Sequence, residues 1–408
     1  MPLKKLNKKL DQEVRQLQQE GRAKDPERVI TAYIPPRDGW GPRYKLEGSD
    51  QEYLRLNSNS YLSFSHHPDL IRAADEATQS LGVGPGAVRF IDGTFHYHVA
   101  LEERLAEFLG KPAVKIFNSA YTANLGLALT VNTDRTYWIG DALNHNSIIR
   151  AMRIAKVPST NKGIYAHNDT DELDQCLTDV PEEMERVIVI CDGIFSMRGD
   201  FAPLDVIREK AAACQEQFPD GVITVVDDSH GFGAYGDTGR GTAEYTGGEP
   251  DIIVGTMGKA LGVNGGFIAG SASLIEAVRQ KADTYIYTNP LSQADCAAAF
   301  TALDILDSPE GRERLTRLHQ RTGQFRDGLE SLGFESIPGP HPIVPLVVRD
   351  TRKTQQMVRR LFEKGILVVG LTYPVVPRGE ETIRFQINAA HTEQDIEYTL
   401  EVLSEFNG

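Results

Sequence analysis

The sequence predicts an α/β protein in which a large domain with a mainly parallel sheet precedes a smaller α+β domain. Helix-like patterns such as NHNSIIRAMRIA and LDVIREKAAACQEQF separate several short apolar runs. The runs are apolar throughout rather than alternating, as expected of strands that are covered on both faces. The predicted strands are Val114–Phe117, Thr136–Ile139, Val187–Cys191, Val222–Val226, Ile252–Val254 and Phe267–Ala269.

Length and composition narrow the class of protein. The 408 residues exceed what one simple core needs, and 40% hydrophobic with 25% charged residues is typical of a soluble globular protein. The formal net charge of −14 argues against binding nucleic-acid phosphates. Four scattered cysteines without a Cys-x-x-Cys pair indicate reduced thiols. Because we find neither a signal peptide nor an apolar run long enough to span a membrane, we expect a cytoplasmic protein.

The chain is expected to divide into three parts. Residues 1–58 are predicted to form an N-terminal helix and hairpin arm, residues 59–290 the large domain, and residues 291–408 the small domain. In the small domain, HPIVPLVVRD and ETIRFQIN resemble strands, and Thr392 is placed to cap the last helix.

The N-terminal helix carries one apolar stripe. Its members recur every three or four residues: Leu3, Leu6, Leu10, Val14 and Leu17. Such a stripe needs a cover, which is either the helix's own domain or a second copy of the chain.

Lys259 lies in the glycine-rich stretch DIIVGTMGKALGVNGG, directly after a predicted strand. A nucleotide-binding P-loop requires a glycine five residues before the Gly-Lys pair and Ser or Thr after it. Here those positions hold Ile253 and Ala260, so the P-loop interpretation fails. The remaining interpretations are covalent chemistry at the lysine or a surface charge.

Polar residues follow two further strands. VITVVDDSHGFG places Asp227 and His230 at the carboxyl end of a strand, where open α/β sheets bind ligands. These residues are candidates for a cofactor site, for metal ligands or for a loop in which they are simply paired. IFNSAYTANLG places small residues at a helix start, which favours an anion site formed by backbone amides. His145 precedes another helix, in GDALNHNSIIRA, as a cap, a core residue or a catalytic group.

Together these features fit pyridoxal 5′-phosphate (PLP). That cofactor needs a lysine for a Schiff base, an acid beside its pyridine nitrogen, an anion site for its phosphate and a ring to stack on its face. The lysine amine must be partly desolvated or held at positive potential to be nucleophilic. A glycine-rich loop allows the backbone to approach the cofactor closely.

Four motifs make the resemblance specific. VDDSHGFG, GTMGKALG, GDALNHNSII and CDGIFSMRGDFAPL resemble the α-oxoamine synthase family of fold-type I, aspartate-aminotransferase-like PLP enzymes. The similarity runs from LNSNSYLSFSHHPDLI to TIRFQINAAHT. It implies condensation of an amino acid with an acyl-CoA, followed by release of CoA and loss or retention of carbon dioxide.

The resemblance also implies roles for individual residues. Lys259 forms the Schiff base, Asp227 pairs with the pyridinium nitrogen, and His230 hydrogen-bonds the ring hydroxyl. His145 stacks on the ring. The further cofactor contacts implied are Ser119, Ala120, Tyr121, Ser196, Thr256 and Thr288. Of these, Thr288 reaches the phosphate of the partner protomer, which implies a homodimer with shared active sites.

Substrate contacts are implied at Asn59 and at Arg384, whose planar guanidinium suits a carboxylate. Four positions depart from the family pattern: Ser60, Ser63, Ala120 and Arg198. None of them removes a catalytic role, but they bear on which substrates fit.

The substrate pair is predicted from weaker similarities. AVRFIDGT and TYPVVPRGEETIRFQINAAHT resemble 2-amino-3-ketobutyrate CoA ligase and favour glycine with a short acyl group. LSFSHHPDLIRAA resembles 8-amino-7-oxononanoate synthase, which uses alanine and a longer acyl-CoA. An aminotransferase and a non-catalytic partner subunit are the alternatives from other classes.

Overall fold

The computed structural model describes residues 3–20 and 22–406, which form helices around three sheets. The helices are α1 (Lys4–Gln19), α2 (Pro68–Leu81), α3 (His96–Leu109), α4 (Ala120–Val131), α5 (Asn146–Ile154), α6 (Thr170–Thr178), α7 (Leu204–Ala213), α8 (Thr242–Thr246), α9 (Ala272–Lys281), α10 (Asp283–Ile286), α11 (Gln293–Leu306), α12 (Pro309–Ser331), α13 (Thr351–Glu363) and α14 (Glu393–Ser404). The strands are β1 (Ile30–Ile34), β2 (Arg43–Leu46), β3 (Glu52–Arg55), β4 (Ala113–Phe117), β5 (Thr136–Asp141), β6 (Lys162–Tyr165), β7 (Arg186–Asp192), β8 (Val222–Asp227), β9 (Ile252–Thr256), β10 (Gly266–Gly270), β11 (Ile343–Val347), β12 (Ile366–Leu367), β13 (Val369–Leu371) and β14 (Thr382–Gln386).

The large sheet has seven strands in the order β4-β10-β9-β8-β7-β5-β6. All six predicted strands are present, and β10 alone runs antiparallel to its neighbours β4 and β9. The sequence analysis missed β6, a four-residue edge strand whose Ile164 is exposed. The expected mainly parallel sheet is confirmed.

Both faces of this sheet are buried, as the apolar runs predicted. Along β7, Val187, Val189 and Cys191 join a core that includes side chains of α3, α6 and α7. The intervening Ile188 and Ile190 join a second core with side chains of α4, α5 and α9. Each large aliphatic side chain buried in this way contributes roughly 1.5–3 kcal/mol to folding. The carboxyl ends of the six strands that run in the same direction are thereby held at one edge.

The C-terminal part contains the sheet β11-β14-β13, and the predicted strand segments in HPIVPLVVRD and ETIRFQIN correspond to β11 and β14. The β2–β3 hairpin forms as predicted, and β12 pairs parallel with β3. The arm and the C-terminal part thus share one four-stranded sheet, β1-β2-β3-β12. The division at residues 58 and 290 stays a prediction.

Helix α14 anchors the arm through one buried carboxylate. Asp395, fully buried, accepts hydrogen bonds from Gly41 N (3.1 Å) and Arg43 Nη2 (2.6 Å). It also completes the capping box with Thr392, which confirms the predicted cap. A Cβ on Gly41 would lie 2.4 Å from the Asp395 carboxylate, so only glycine fits this close approach.

The apolar stripe of α1 is not covered. No residue of the helix is buried, and its five apolar members are between 38% and 60% exposed. Packing on its own domain, one of the two interpretations of the stripe, is therefore wrong for the single chain.

None of the helices in the described part of the chain combines the length and the apolar character needed to cross a membrane.

We predict that Asp395→Ala lowers the free energy of unfolding by about 3 kcal/mol, because it leaves the Arg43 guanidinium buried without its counter-charge. Glu393→Ala is the matched control on the same helix. Glu393 lies 3.9 Å from Arg321 with 65% of its side chain exposed, so its loss should cost less than about 0.5 kcal/mol. Denaturant unfolding of the apoprotein measures both values, and equal losses would contradict the anchoring role.

Candidate active site

A cavity of about 160 Å³ lies at the carboxyl edge of the large sheet. Because parallel strands end at the same edge, residues that are far apart in the sequence meet there. We call this 160 Å³ space the lysine cavity. Nine of the predicted residues border it: Ser119, Ala120, Tyr121, His145, Ser196, Asp227, His230, Thr256 and Lys259. Asp192 and Ser229 also border it, and the sequence analysis did not identify either.

Lys259 lies in the loop that joins β9 to the returning strand β10. Its carbonyl accepts a hydrogen bond from Gly262 N (3.1 Å). Gly262 adopts a φ of +73°, and a Cβ there would meet Ser65 N at 2.7 Å, so glycine is required. Within the described residues Lys259 Nζ makes no ion pair or hydrogen bond. Burial lowers the pKa of Lys259 to about 8, although the nearby carboxylate of Asp227 acts in the opposite direction.

Asp227 is the last residue of β8 and is held from two sides. Its Oδ2 accepts a hydrogen bond from Asn124 Nδ2 (2.6 Å), and its Oδ1 accepts one from Ser229 N (3.1 Å). Asn124 lies within the apolar helix α4 and also donates to Ser147 Oγ (2.9 Å). These bonds fix the direction in which the carboxylate faces the cavity.

Asp192 ends β7 directly beside Asp227 in the strand register. Burial, with the neighbouring Asp227 carboxylate as a second cause, raises the pKa of Asp192 well above its ordinary value. Burial therefore favours the protonated form of the Asp192 carboxyl. The signal for it in the sequence is the repetition of an apolar strand that ends in aspartate.

His230 is buried and oriented by residues from outside the large sheet. Its Nδ1 lies 2.7 Å from Tyr61 Oη, and His341 Nε2 lies 2.9 Å from its carbonyl oxygen. Burial and the positive charge of Lys259 lower the pKa of His230 well below its ordinary value. The imidazole is thus neutral at physiological pH, and the contact with Tyr61 fixes the orientation of its ring.

The start of α4 provides an anion site. Ser119 caps the helix by accepting a hydrogen bond from Thr122 N (3.2 Å), whereas Ala120 and Tyr121, in the first turn, have amides with no partner inside the helix. The Thr256 hydroxyl also borders the cavity. A Cβ at Gly266 would lie 2.1 Å from Ala120 N, so β10 approaches the helix closely only because glycine is there.

His145 caps α5, with its Nδ1 accepting from Ser147 N (3.3 Å) and lying 2.7 Å from Ser147 Oγ. The residue remains exposed at the open side of the cavity. One face of the ring is thus available for stacking.

The predicted substrate residues lie beyond the lysine cavity. Arg384 Nη1 donates to the Ser196 carbonyl (2.7 Å), and its Nε is buried without a hydrogen-bond partner among the described residues. Asn59 Oδ1 lies 2.5 Å from the side-chain amide of Gln386. Asn59 and Lys259 also border a second space of about 530 Å³, with Leu70 and Ala298 on its wall; we call it the outer cavity.

Thr288 is not brought to the lysine cavity. Its hydroxyl accepts a hydrogen bond from Asn118 Nδ2 (3.3 Å) and borders a separate small cavity with Arg89. Its expected role in a partner's site is not tested by a single chain.

Three of the departures from the family pattern have local explanations. Ser63, where the family has glycine, keeps a left-handed backbone (φ 57°), and its hydroxyl accepts from Ala390 N (3.3 Å). Ser60 Oγ lies 3.2 Å from Ser65 Oγ. Arg198 Nε donates to Asp200 (2.7 Å), whose carboxylate also lies 3.1 Å from His167. Each of these three side chains thus contacts another polar group of the same chain.

These groups fit PLP. The amine of Lys259 has no partner, Asp227 offers a fixed carboxylate, and Ser229 Oγ is buried on the cavity wall without a hydrogen-bond partner among the described residues. Within residues 3–20 and 22–406, no three His, Cys, Asp or Glu side chains are arranged to hold an ion.

Comparison with known proteins also supports a PLP-binding fold. The family described as "Aminotransferase class I and II" matches residues 51–403. The 8-amino-7-oxononanoate synthase of Thermosipho melanesiensis is 39% identical over 353 residues, 86% of this chain and 87% of that protein. The enzyme of the same name from Geobacter sulfurreducens is 39% identical over 361 residues, 88% and 89% of the two chains. The structure of a variant of the serine palmitoyltransferase from S. paucimobilis, with a bound PLP–myriocin aldimine, has a TM-score of 0.83 at 28% identity and covers 99% of this chain and 97% of that one. The fold-type I architecture is confirmed.

We predict that the amine of Lys259 in the apoprotein titrates with a midpoint near pH 8, below the ordinary 10.5, because burial disfavours its protonated form. The pH dependence of its acylation by a small reagent, read by peptide mass spectrometry, measures this midpoint, and exposed lysines in the same digest provide the reference. Asp227→Asn removes a charge that stabilises the ammonium and should lower the midpoint further. A midpoint near 10.5 would contradict the desolvated amine.

Proposed function

This chain belongs to the α-oxoamine synthase family of PLP-dependent C-acyltransferases, and we propose that its substrates are L-alanine and pimeloyl-CoA, with release of CoA and carbon dioxide. Membership makes the chain an enzyme that condenses an amino acid with an acyl-CoA, with PLP as its cofactor. The substrate pair is the proposed part.

The choice of alanine and pimeloyl-CoA replaces the preference that the sequence motifs favoured. AVRFIDGT and the C-terminal motif suggested glycine and a short acyl group, whereas relatives that are 36% to 40% identical are named 8-amino-7-oxononanoate synthase. Such identity over most of the chain outweighs two short motifs. The aminotransferase and non-catalytic alternatives do not fit membership of this family.

The substrate pair rests on the relatives, whereas the observation that carries the PLP chemistry is the meeting of Lys259 and Asp227 in one cavity. When bound, PLP supplies an electron sink that stabilises negative charge on the Cα of an attached amino acid. Lys259 Nζ, with a pKa lowered by burial to about 8, is available to hold the cofactor covalently. The same atom would also be able to accept the Cα proton of a bound amino acid.

Three side chains are proposed to hold the cofactor ring. Asp227, fixed by Asn124, keeps a proton on the pyridine nitrogen, which favours electron withdrawal from the substrate. His230, oriented by Tyr61, binds the ring hydroxyl as a neutral imidazole. His145 stacks on the ring face from the open side, or donates a hydrogen bond to the oxygen on which negative charge develops.

The cofactor phosphate and the amino-acid carboxylate are assigned to two different groups of residues. The amides of Ala120 and Tyr121, with the hydroxyls of Ser119 and Thr256, are proposed to hold the phosphate, assisted by the dipole of α4. Arg384 and Asn59 are proposed to hold the amino-acid carboxylate. Ser196 borders the lysine cavity, and its carbonyl accepts a hydrogen bond from Arg384, so it connects this region to the cavity.

We predict that the PLP-loaded enzyme releases free thiol from pimeloyl-CoA only when alanine is present. A panel of glycine, alanine and serine with acetyl-, pimeloyl- and palmitoyl-CoA measures the preference by thiol release. Lys259→Ala is expected to lose more than about 10³-fold in rate, since it removes both covalent attachment and the proton acceptor. A best rate with glycine and acetyl-CoA would overturn the proposed substrate pair.

The enzyme is further proposed to act as a homodimer in which Thr288 reaches the partner's cofactor phosphate. Two features support this: Thr288 lies outside its own chain's lysine cavity, and the stripe on α1 is uncovered. A 16-residue helix without a buried face is only marginally stable alone, so a partner surface is needed to hold it.

We predict that the wild type sediments as a dimer and that Leu6→Asp with Leu10→Asp weakens the association, because charges replace apolar contacts. Gln12→Asp with Gln19→Asp adds the same charge away from the stripe and should leave sedimentation unchanged. A wild type that stays monomeric at every concentration would overturn the dimer, and equal effects of both pairs would exclude the stripe from the interface.

A further inference from the structure

The outer cavity combines an apolar wall with a cationic end. Its apolar members are Leu70, Ile71, Ala74, Val263, Ala294 and Ala298. Arg55, the last residue of β3, borders the same space, as does Lys259. A chain of methylene groups that starts at the reacting centre and ends in an anion matches this arrangement.

Arg55 has no carboxylate of its own. Its guanidinium carbon lies 5.3 Å from the centre of the Tyr44 ring, and the described residues provide it with no ion pair. The partly buried guanidinium is held in place against Tyr44 and has no carboxylate partner among the described residues.

The neighbouring arginines are already paired. Arg55 also borders an adjacent cleft of about 610 Å³, whose other arginines are Arg314, Arg317 and Arg321. Arg314 contacts Glu310 at 2.8 Å, Arg317 contacts Glu313 at 3.3 Å, and Arg321 lies 3.9 Å from Glu393. In the described part of the chain, Arg55 is thus the arginine of these two spaces that lacks a counter-charge.

The other charged groups on the outer cavity's wall do not compete for this role. Asp295 is engaged at the start of α11, where its carboxylate accepts a hydrogen bond from Ser292 Oγ (2.6 Å). Lys259 is committed to the cofactor on the proposed function. His66 stacks on Tyr33 with ring centres 3.6 Å apart, and burial lowers its pKa. An incoming anion therefore meets Arg55 as the available cation.

We propose that Arg55 binds the distal carboxylate of the acyl substrate and selects α,ω-dicarboxylic acyl thioesters over monocarboxylic ones of equal length. This inference rests on the proposed function and assigns a residue to its acyl specificity. The planar guanidinium can donate two parallel hydrogen bonds to a carboxylate, and a methyl terminus has no acceptor for them. Desolvating Arg55 against a methyl group would leave its charge buried without a partner. Arg55 would therefore disfavour acyl chains that end in a methyl group as well as favour those that end in a carboxylate.

The test measures binding of two acyl-CoAs of equal length to the PLP-loaded enzyme by calorimetry, without amino acid. Heptanedioyl-CoA (pimeloyl-CoA) ends in a carboxylate, whereas heptanoyl-CoA ends in a methyl group. For Arg55→Gln we expect the Kd of heptanedioyl-CoA to rise by about 10- to 100-fold and that of heptanoyl-CoA to change less than about twofold. Arg55→Lys should recover part of the loss, because it keeps the charge but not the fork. Arg317→Gln, in the adjacent cleft, is the matched control and should change neither value.

The outcomes separate this assignment from the proposed reaction. Equal losses for both ligands would overturn it in favour of a contact to the phosphates of CoA, and so would a wild type that binds both ligands equally. Arg55-dependent binding of heptanedioyl-CoA without thiol release in the presence of alanine would overturn the proposed reaction and uphold the role of Arg55.

Discussion

The burial of Lys259 among acids that are themselves buried is the interaction on which the site depends. Desolvation alone makes the amine a weaker base, and the Asp227 carboxylate partly restores its basicity. The balance leaves an amine that exchanges protons close to neutral pH, which suits covalent chemistry and proton transfer. Asp192 places a second acid beside Asp227, and burial raises the pKa of Asp192 well above its ordinary value. The sheet, the helix starts and the glycine-rich loops all serve to hold these groups together.

Much of the fold followed from the pattern of apolar runs. Strands buried on both faces need continuous apolar side chains, and polar residues at their ends mark the edge where ligands bind. This logic located Asp227, His230, Lys259 and the start of α4. It did not detect β6, because a short edge strand with an exposed Ile164 lacks that pattern. Nor did it give the direction of β10, since an apolar run of a few residues is compatible with either orientation.

The groups that orient the site were harder to predict. Asn124 lies in an otherwise apolar helix, and Tyr61 and His341 come from segments 169 and 111 residues away from His230. Their roles depend on tertiary contacts, which leave no local spacing to detect. Asp192 is the exception, because it repeats the strand-then-aspartate pattern of Asp227. The substrate pair depended on similarity, and two short motifs were weaker than identity over most of the chain.

The reversed direction of β10 has a consequence for repeated turnover. Because β10 returns beside β9, the segment that carries Lys259 is a hairpin, and a hydrogen bond from Met257 N to Gly265 O (2.9 Å) joins its two ends. On the proposed function, the Lys259 side chain would move away from the cofactor while its Cα stays fixed. Its return would then be an intramolecular event of high effective concentration. The hairpin would thereby act as a tether that restores the starting state after each cycle.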